Sequence, residues 1–300
     1  MLTGLHFLLT YMCNSECDHC FVYSSPHARG TFTLTQIRKI LDDATKIGTI
    51  EWVYFEGGEP FLYYPIMLEG IKLARSRGFQ AGVVTNAYFA TDHDDIEVWL
   101  KPLKESGVAD LSMSNDTYHY DEEDNPAIRA HEVAKKLNLP VAEIAIDKPL
   151  VTTSTKDNLA KGEPIIGGST RFRGRAVEKL VAGLPLRNWQ EFNECPYEEL
   201  ESPKRLHIDP YGNVHLCQGL SMGNCLETPL SELVKNYEAS KHPICGPLVK
   251  GGPALLAREY GVDHNDGYVD ACHFCYLMRR ALLDKFPQYL NPRQVYGLEQ

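Results

Sequence analysis

The sequence predicts an α/β chain built on a parallel sheet, followed by a smaller α+β part that carries cysteines. Three observations carry this reading. Five β-rich runs, at 5–10, 50–55, 81–85, 110–114 and 141–146, alternate with helical patterns. Their starts lie about 30 residues apart, the size of a βα unit. The pattern changes near residue 185, and six of the nine cysteines lie beyond it.

The helices follow in order. Thr33 and Gln36 form a capping-box pattern, and Leu34, Ile37, Ile40, Leu41 and Ala44 continue it at helical spacing. Residues 66–77 place Ile66, Gly70, Ile71 and Ala74 on one face, with Gly78 as a stop. A helix over 94–106 contains Pro102, which predicts a break or kink there. Residues 126–137 align Ala127, Ala130, Ala134 and Leu137. Repeated βα units imply parallel strands with right-handed crossovers. A sixth unit would use 163–173 as strand and 176–182 as helix. Five or six units fall short of the eight in a closed barrel.

Beyond 185, residues 188–203 read as a loop. Residues 205–208 and 214–217 flank Asp209-Pro210-Tyr211-Gly212-Asn213, a hairpin signal. Helices are expected at 229–237, 253–260 and 276–286. The expected domains are 1–186 and 187–300.

Composition narrows the function classes. With 43% apolar and 23% charged residues the chain can bury a core. It holds no stretch of 18 apolar residues, so no transmembrane helix and no membrane partner are expected. Forty acidic residues against 30 basic ones give a net charge of -10, a poor basis for general nucleic-acid binding. The opening MLTGLHFLLTY has no basic leader, which predicts a cytoplasmic protein. An odd cysteine count disfavours a disulfide scaffold, and clustered cysteines in a reducing compartment point to metal.

Cys13, Cys17 and Cys20 follow the first strand as C-x3-C-x2-C. Three thiolates on one short loop can converge on a metal centre. They suit an iron–sulfur cluster with one open iron, or a zinc loop completed by His19 or a distant residue. The second strand ends in Gly57-Gly58-Glu59-Pro60, whose glycines allow close backbone approach to a ligand. Parallel-strand carboxyl ends are where such sheets place active sites.

Together these two motifs, in this order, resemble the radical S-adenosylmethionine (SAM) superfamily over about 180 residues. The resemblance implies a partial (βα)6 TIM-like barrel. It also implies a [4Fe–4S] cluster on Cys13, Cys17 and Cys20, whose open iron chelates SAM. Reductive cleavage of SAM would then generate a radical that takes hydrogen from substrate, with electrons from a donor such as flavodoxin or ferredoxin. Residue by residue, Gly57, Gly58, Glu59 and Pro60 match the segment contacting the methionine amine. Thr85-Asn86 resembles the Thr-Asn turn after strand three, and Ser114 within 112–116 is the best polar contact to cofactor. Phe21 lies where the family carries an aromatic residue near the adenine. Asp116, Tyr118 and His119, with Tyr120, cluster past strand four and would face the cavity as proton or hydrogen carriers. The plainer reading is a solvated loop leading into the acidic run 121–124.

Cys195, Cys217, Cys272 and Cys275 include a C-x2-C pair and a G-x4-C hairpin end. This arrangement resembles the twitch domain, a shortened SPASM extension, which Gly174-Arg175-Ala176 also fits. The resemblance implies one auxiliary [4Fe–4S] cluster on these four thiolates; a structural zinc site is the alternative, and a set with Cys225 or Cys245 in place of Cys195 also stays open. Cys225 and Cys245 remain as candidate hydrogen donors or inert core residues.

Three functions follow. The first is hydrogen abstraction from a small-molecule or peptide substrate, with oxidation assisted by the auxiliary cluster. The second is a redox-neutral epimerisation or rearrangement quenched by Cys225 or Cys245. The third is a zinc-stabilised binding protein without catalysis. The short run before strand one weighs against a peptide-recognition domain there. Arg171, Arg173 and Arg175 could bind a carboxylate or phosphate, or line a solvated strand face.

Overall fold

The computed structural model describes residues 1–120, 125–154 and 164–298. The acidic run 121–124 and the start of the expected sixth strand at Glu163 lie outside the described residues. The βα alternation is present as expected. β1 (Gly4–Thr10), β2 (Trp52–Gly57), β3 (Gln80–Thr85), β4 (Asp110–Ser114) and β5 (Val141–Ile144) are parallel neighbours in that order. Between them run α1 (Leu34–Ala44), α2 (Tyr64–Ser76), α3 (His93–Glu105) and α4 (Pro126–Lys136).

Strand alternation sorts the two faces of the sheet. Phe7, Phe55 and Val83 are register partners and fully buried. Phe7 stacks on Phe55 with ring centroids 5.4 Å apart. Phe55 fills the space that Gly70 of α2 leaves open. Leu8, Glu56 and Val84 point the other way and line a cavity. Thr33 and Gln36 form the expected capping box of α1. α3 is not broken at Pro102, in contrast to the expectation. The carbonyl that loses its partner belongs to Val98, which is 73% exposed, so water can replace the missing donor.

After β5 the structure departs from the expected sixth parallel unit. β6 (Leu150–Thr153) and β7 (Pro164–Gly167) pair antiparallel with each other and do not join the main sheet. α5 (Ala176–Lys179) is a single turn. A two-residue pair, β8 (Arg187–Asn188), waits for a later partner. β9 (Arg205–Ile208) then lies parallel against the free edge of β1. β10 (Asn213–Cys217) and β11 (Leu220–Asn224) extend it as a meander, so the order is β11-β10-β9-β1-β2-β3-β4-β5. The sheet therefore crosses the expected boundary at 186/187 without a break. An unpaired edge leaves backbone donors and acceptors open, and β9 covers that of β1.

α6 (Leu230–Asn236) and α7 (Cys245–Tyr260) follow. α7 is two helical pieces joined where Gly251 and Gly252 leave helical geometry. Gly252 has φ +60, and a Cβ there would strike the backbone of Asn193 and Glu194. β12 (Gly267–Tyr268) completes the pair with β8. α8 (Ala271–Ala281) begins five residues before the expected 276, because Asp270 caps it by accepting from the His273 N–H at 2.7 Å.

The two glycines after β2 have a specific steric reason. Gly57 has φ +138, and a Cβ there would lie 2.5 Å from the Thr10 carbonyl oxygen. A Cβ on Gly58 would overlap the Met12 carbonyl. The close approach they permit is to the chain leaving β1, as much as to any ligand. Gly58→Ala is expected to destabilise the fold by about 1–3 kcal/mol through this overlap. Denaturant unfolding checks it; a midpoint equal to the parent's would mean that the two segments separate freely.

Candidate functional site

The loop from Tyr11 to Ser25 has no regular helix or strand, so its carbonyls need partners from elsewhere. Arg175 supplies them. Its Nη1 donates to the Cys17 carbonyl at 2.8 Å and its Nη2 to that of Ser24 at 2.7 Å. Its backbone N–H donates to the Cys20 carbonyl at 2.9 Å. Gly174, with φ +62, sits directly on the backbone of Cys20 and Phe21. From the other side, Gly58 and Glu59 N–H groups donate to the Thr10 and Met12 carbonyls, each at 2.8 Å. So clamped, Cys13, Cys17 and Cys20 present free thiols to one cavity of about 270 Å³. Burial pushes Cys13 and Cys17 up to about 12. Binding a cation there releases protons.

Of the expected cofactor residues, Phe21, Gly57, Gly58, Asn86 and Ser114 line this cavity, at the carboxyl ends of β1–β4. Glu59 and Pro60 do not. Glu59 is fully buried and accepts from Phe61 N–H at 3.0 Å, Thr85 Oγ1 at 2.8 Å and Asn86 N–H at 2.8 Å. It ties the end of β2 to the end of β3. Burial raises its pKa to about 7 against these three bonds. Pro60 is buried at the start of the following turn. Asn86 Nδ2 donates to Asn14 Oδ1 at 2.9 Å and approaches Cys13 Sγ at 3.7 Å.

Asp116 and His119 also line the cavity and are joined, with His119 Nδ1 and Asp116 Oδ1 2.8 Å apart. Burial raises the Asp116 pKa, but the His119 contact outweighs it and the net shift is downward. Tyr118 is turned aside: its hydroxyl meets Thr170 Oγ1 at 3.0 Å and its ring faces His19 at 4.3 Å. His19 Nδ1 is buried without a partner, and burial pushes this imidazole down to about 4.

Cys195, Cys217, Cys272 and Cys275 converge on a second, small cavity. Cys217 ends β10, and Cys272 and Cys275 sit on successive turns at the start of α8. Cys195 lies on the loop fixed against Gly252. Burial raises the pKa of Cys195 and Cys272 and takes Cys275 to about 12. Arg173 lines both cavities. Its Nη1 lies 3.0 Å from Cys217 Sγ and 3.2 Å from Glu198 Oε1, and its guanidinium is 5.0 Å from the Phe21 ring centre.

Cys225 and Cys245 line neither cavity. Cys225 is buried behind the sheet beside Thr35 and Arg38 of α1, and Cys245 is fully buried at the start of α7. Of the arginine trio, Arg171 and Arg173 line the first cavity and Arg175 does not. Arg175 holds the loop, Arg173 lies between the cavities, and Arg171 stacks 3.2 Å over Tyr197. The Gly174-Arg175-Ala176 segment stands out in the sequence, but its grip on the cysteine loop does not, since the partners of Arg175 lie about 150 residues earlier. Among the described residues no helix is long and apolar enough to cross a membrane.

Residues 7–146 match the family model of the Radical SAM superfamily. The chain is 23% identical over 255 residues to YydG of Bacillus subtilis (strain 168), whose name assigns it to peptide biosynthesis; 83% of this chain and 70% of that protein are covered. It is 34% identical over 113 residues to the tungsten-containing aldehyde ferredoxin oxidoreductase cofactor-modifying protein of Pyrococcus furiosus, covering 37% of this chain and 30% of that one. A subtilosin biosynthesis protein of B. subtilis, AlbA, is 29% identical over 109 residues, 36% of this chain and 23% of that protein. Among solved structures, BtrN in complex with AdoMet and 2-DOIA aligns over 79% of this chain and 83% of that one, at 14% identity and a TM-score of 0.49.

Two outcomes are expected from this geometry. Arg175→Ala and Arg175→Lys both lower iron bound after anaerobic reconstitution, because an ammonium cannot reach two carbonyls with a fixed fork. Full iron loading in the lysine variant would show that charge alone suffices. For Glu59, the folded pKa of about 7 exceeds the ordinary 4.5. Its contribution is therefore fully present below pH 4.5 and lost as pH rises to about 7, a fall of about 3 kcal/mol. Urea unfolding of both proteins across that window should show the parent losing about 3 kcal/mol relative to Glu59→Gln as pH rises; a difference independent of pH would remove the assignment.

Proposed function

We propose that this chain, whose residues 7–146 match the family model of the Radical SAM superfamily, is a radical SAM enzyme. It would abstract hydrogen from a small-molecule or peptide substrate and assist oxidation through a second cluster. The observation that carries this is the sorting of seven free thiols into a set of three and a set of four, on two cavities that share Arg173.

The donor chemistry suits the groups concerned. Soft thiolates select iron–sulfur clusters or zinc, and three thiolates leave an open position where four do not. Cys13, Cys17 and Cys20 would hold a [4Fe–4S] cluster with SAM, and Cys195, Cys217, Cys272 and Cys275 an auxiliary one. When bound, these groups supply reductive cleavage of SAM and an electron sink.

The chain's own residues do the rest. The backbone of Gly57 and Gly58, with Asn86 and Ser114, offers polar contacts along the strand ends. Asp116 orients His119 through Nδ1, which leaves Nε2 as a proton acceptor on the cavity wall. Leu8, Ile144 and Ile146 give that wall an apolar surface that limits water. The placement of Cys225 and Cys245 away from the cavity favours oxidation over thiol quenching. The YydG and AlbA relatives support a peptide substrate. An electron donor such as flavodoxin or ferredoxin would serve the first cluster.

Anaerobic reconstitution tests the reading. About eight irons per chain are expected, with 5′-deoxyadenosine formed from SAM under reduction. Cys17→Ala should abolish that product and keep about four irons, whereas Cys272→Ala/Cys275→Ala should keep cleavage. Zinc without iron or sulfide in the purified protein would overturn it in favour of a zinc-stabilised binding protein.

A further inference from the structure

We propose that His6, Glu56 and His207 bind one divalent transition-metal ion beneath the first cavity, separate from both cysteine sets. The three side chains come from adjacent parallel strands, β1, β2 and β9. His6 and His207 are register partners, so they stand side by side on the same face. Tyr54 is the register partner of His6 on β2, and Glu56 stands two residues further along. Two residues is one strand repeat, so Glu56 projects from the same face and reaches back to both imidazoles.

The distances fit a shared ion. Glu56 Oε2 lies 3.1 Å from His6 Nδ1, and Glu56 Oε1 lies 3.2 Å from His207 Nε2. All three donor atoms lie within 4.8 Å of one another. Neighbouring ligands of an ion bound at about 2.1 Å are roughly 3 Å apart. The rings are held in place: His6 stacks on Tyr54 at 4.8 Å and meets His207 at 4.7 Å. The side chains of His6, Glu56 and His207 remain 15%, 16% and 11% exposed, so one sector of the site stays open. Glu56 also lines the first cavity, whereas His6 and His207 do not.

Two imidazoles and a carboxylate with open positions suit ferrous iron, zinc or manganese. They do not suit magnesium or calcium, which take oxygen ligands. One negative carboxylate leaves a bound divalent ion with net positive charge, able to hold a substrate oxygen. The competing arrangement is a hydrogen-bonded triad, in which Glu56 accepts from both imidazoles and no ion enters. Both keep the same contacts, and metal uptake separates them.

The probe is Mn²⁺, a harder ion than the thiolates prefer, added to the cluster-reconstituted full chain and followed by electron paramagnetic resonance. One ion per chain is expected, read as loss of the free-ion signal up to a 1:1 ratio. Glu56→Gln should weaken uptake at least about tenfold, in line with loss of a ligand. His207→Gln should do the same and guards against a folding defect peculiar to one variant; circular dichroism and iron content of both variants should match the parent. Asp116→Asn, which alters the separate group of His19, Asp116 and His119, should leave the titration unchanged. No stoichiometric uptake would overturn the proposal. So would equal uptake in both variants of the triad, or a loss confined to Asp116→Asn.

Discussion

The arrangement of the first site depends on the hydrogen bonds of Arg175 to the cysteine loop. A loop without helix or strand has carbonyls with no partners of their own, and leaving them buried and unpaired costs about 1–3 kcal/mol each. A guanidinium is always charged and planar, and its fork meets the Cys17 and Ser24 carbonyls at once. The Arg175 backbone N–H takes the Cys20 carbonyl. One residue thereby fixes the loop on both sides of its third cysteine. Gly174 makes this possible, because no side chain there could clear Phe21.

The opposite wall is built from the sheet. Gly57 and Gly58 let the end of β2 close onto the chain leaving β1, and the buried Glu59 carboxylate gathers the ends of β2 and β3. Neither Glu59 nor Arg175 needs to touch a ligand. Each sets where the backbone runs, and the side chains that face the cavity follow from strand alternation. Arg173 occupies the wall between the two cavities and meets a thiol from one set and a ring beside the other.

Much of this was legible in the sequence because it rests on local periodicity. The five parallel strands and α1–α4 follow from alternation, caps and helical spacing within single segments. The spacing of Cys13, Cys17 and Cys20 marks the first cysteine set, and the second is what the twitch resemblance implies. What the sequence left hidden depends on contacts between distant segments. The pairing of β9 with β1 joins positions about 200 residues apart and leaves no mark in either strand. The separation of β6–β7 from the sheet is of the same kind. α8 starts earlier than its apolar periodicity indicates because its first turn is rich in cysteine; the Asp270 cap is the signal for that start. The sequence predicts a break at Pro102 because the exposure of Val98, which lets water take the freed carbonyl, is a property of the packed structure. His6, Glu56 and His207 are unremarkable singly and meet only through register.

The strand that pairs with β1 has a consequence for modularity. Strands from both halves form one continuous hydrogen-bonded sheet, so neither half is an interchangeable cassette. A fragment ending before β9 would leave the apolar first strand, Leu5 through Leu9, with a bare edge in water. Such an edge recruits other strands, so the fragment would be prone to self-association. Exchange of the cysteine-rich half between related chains therefore requires transplanting an edge complementary to β1, together with the thiols.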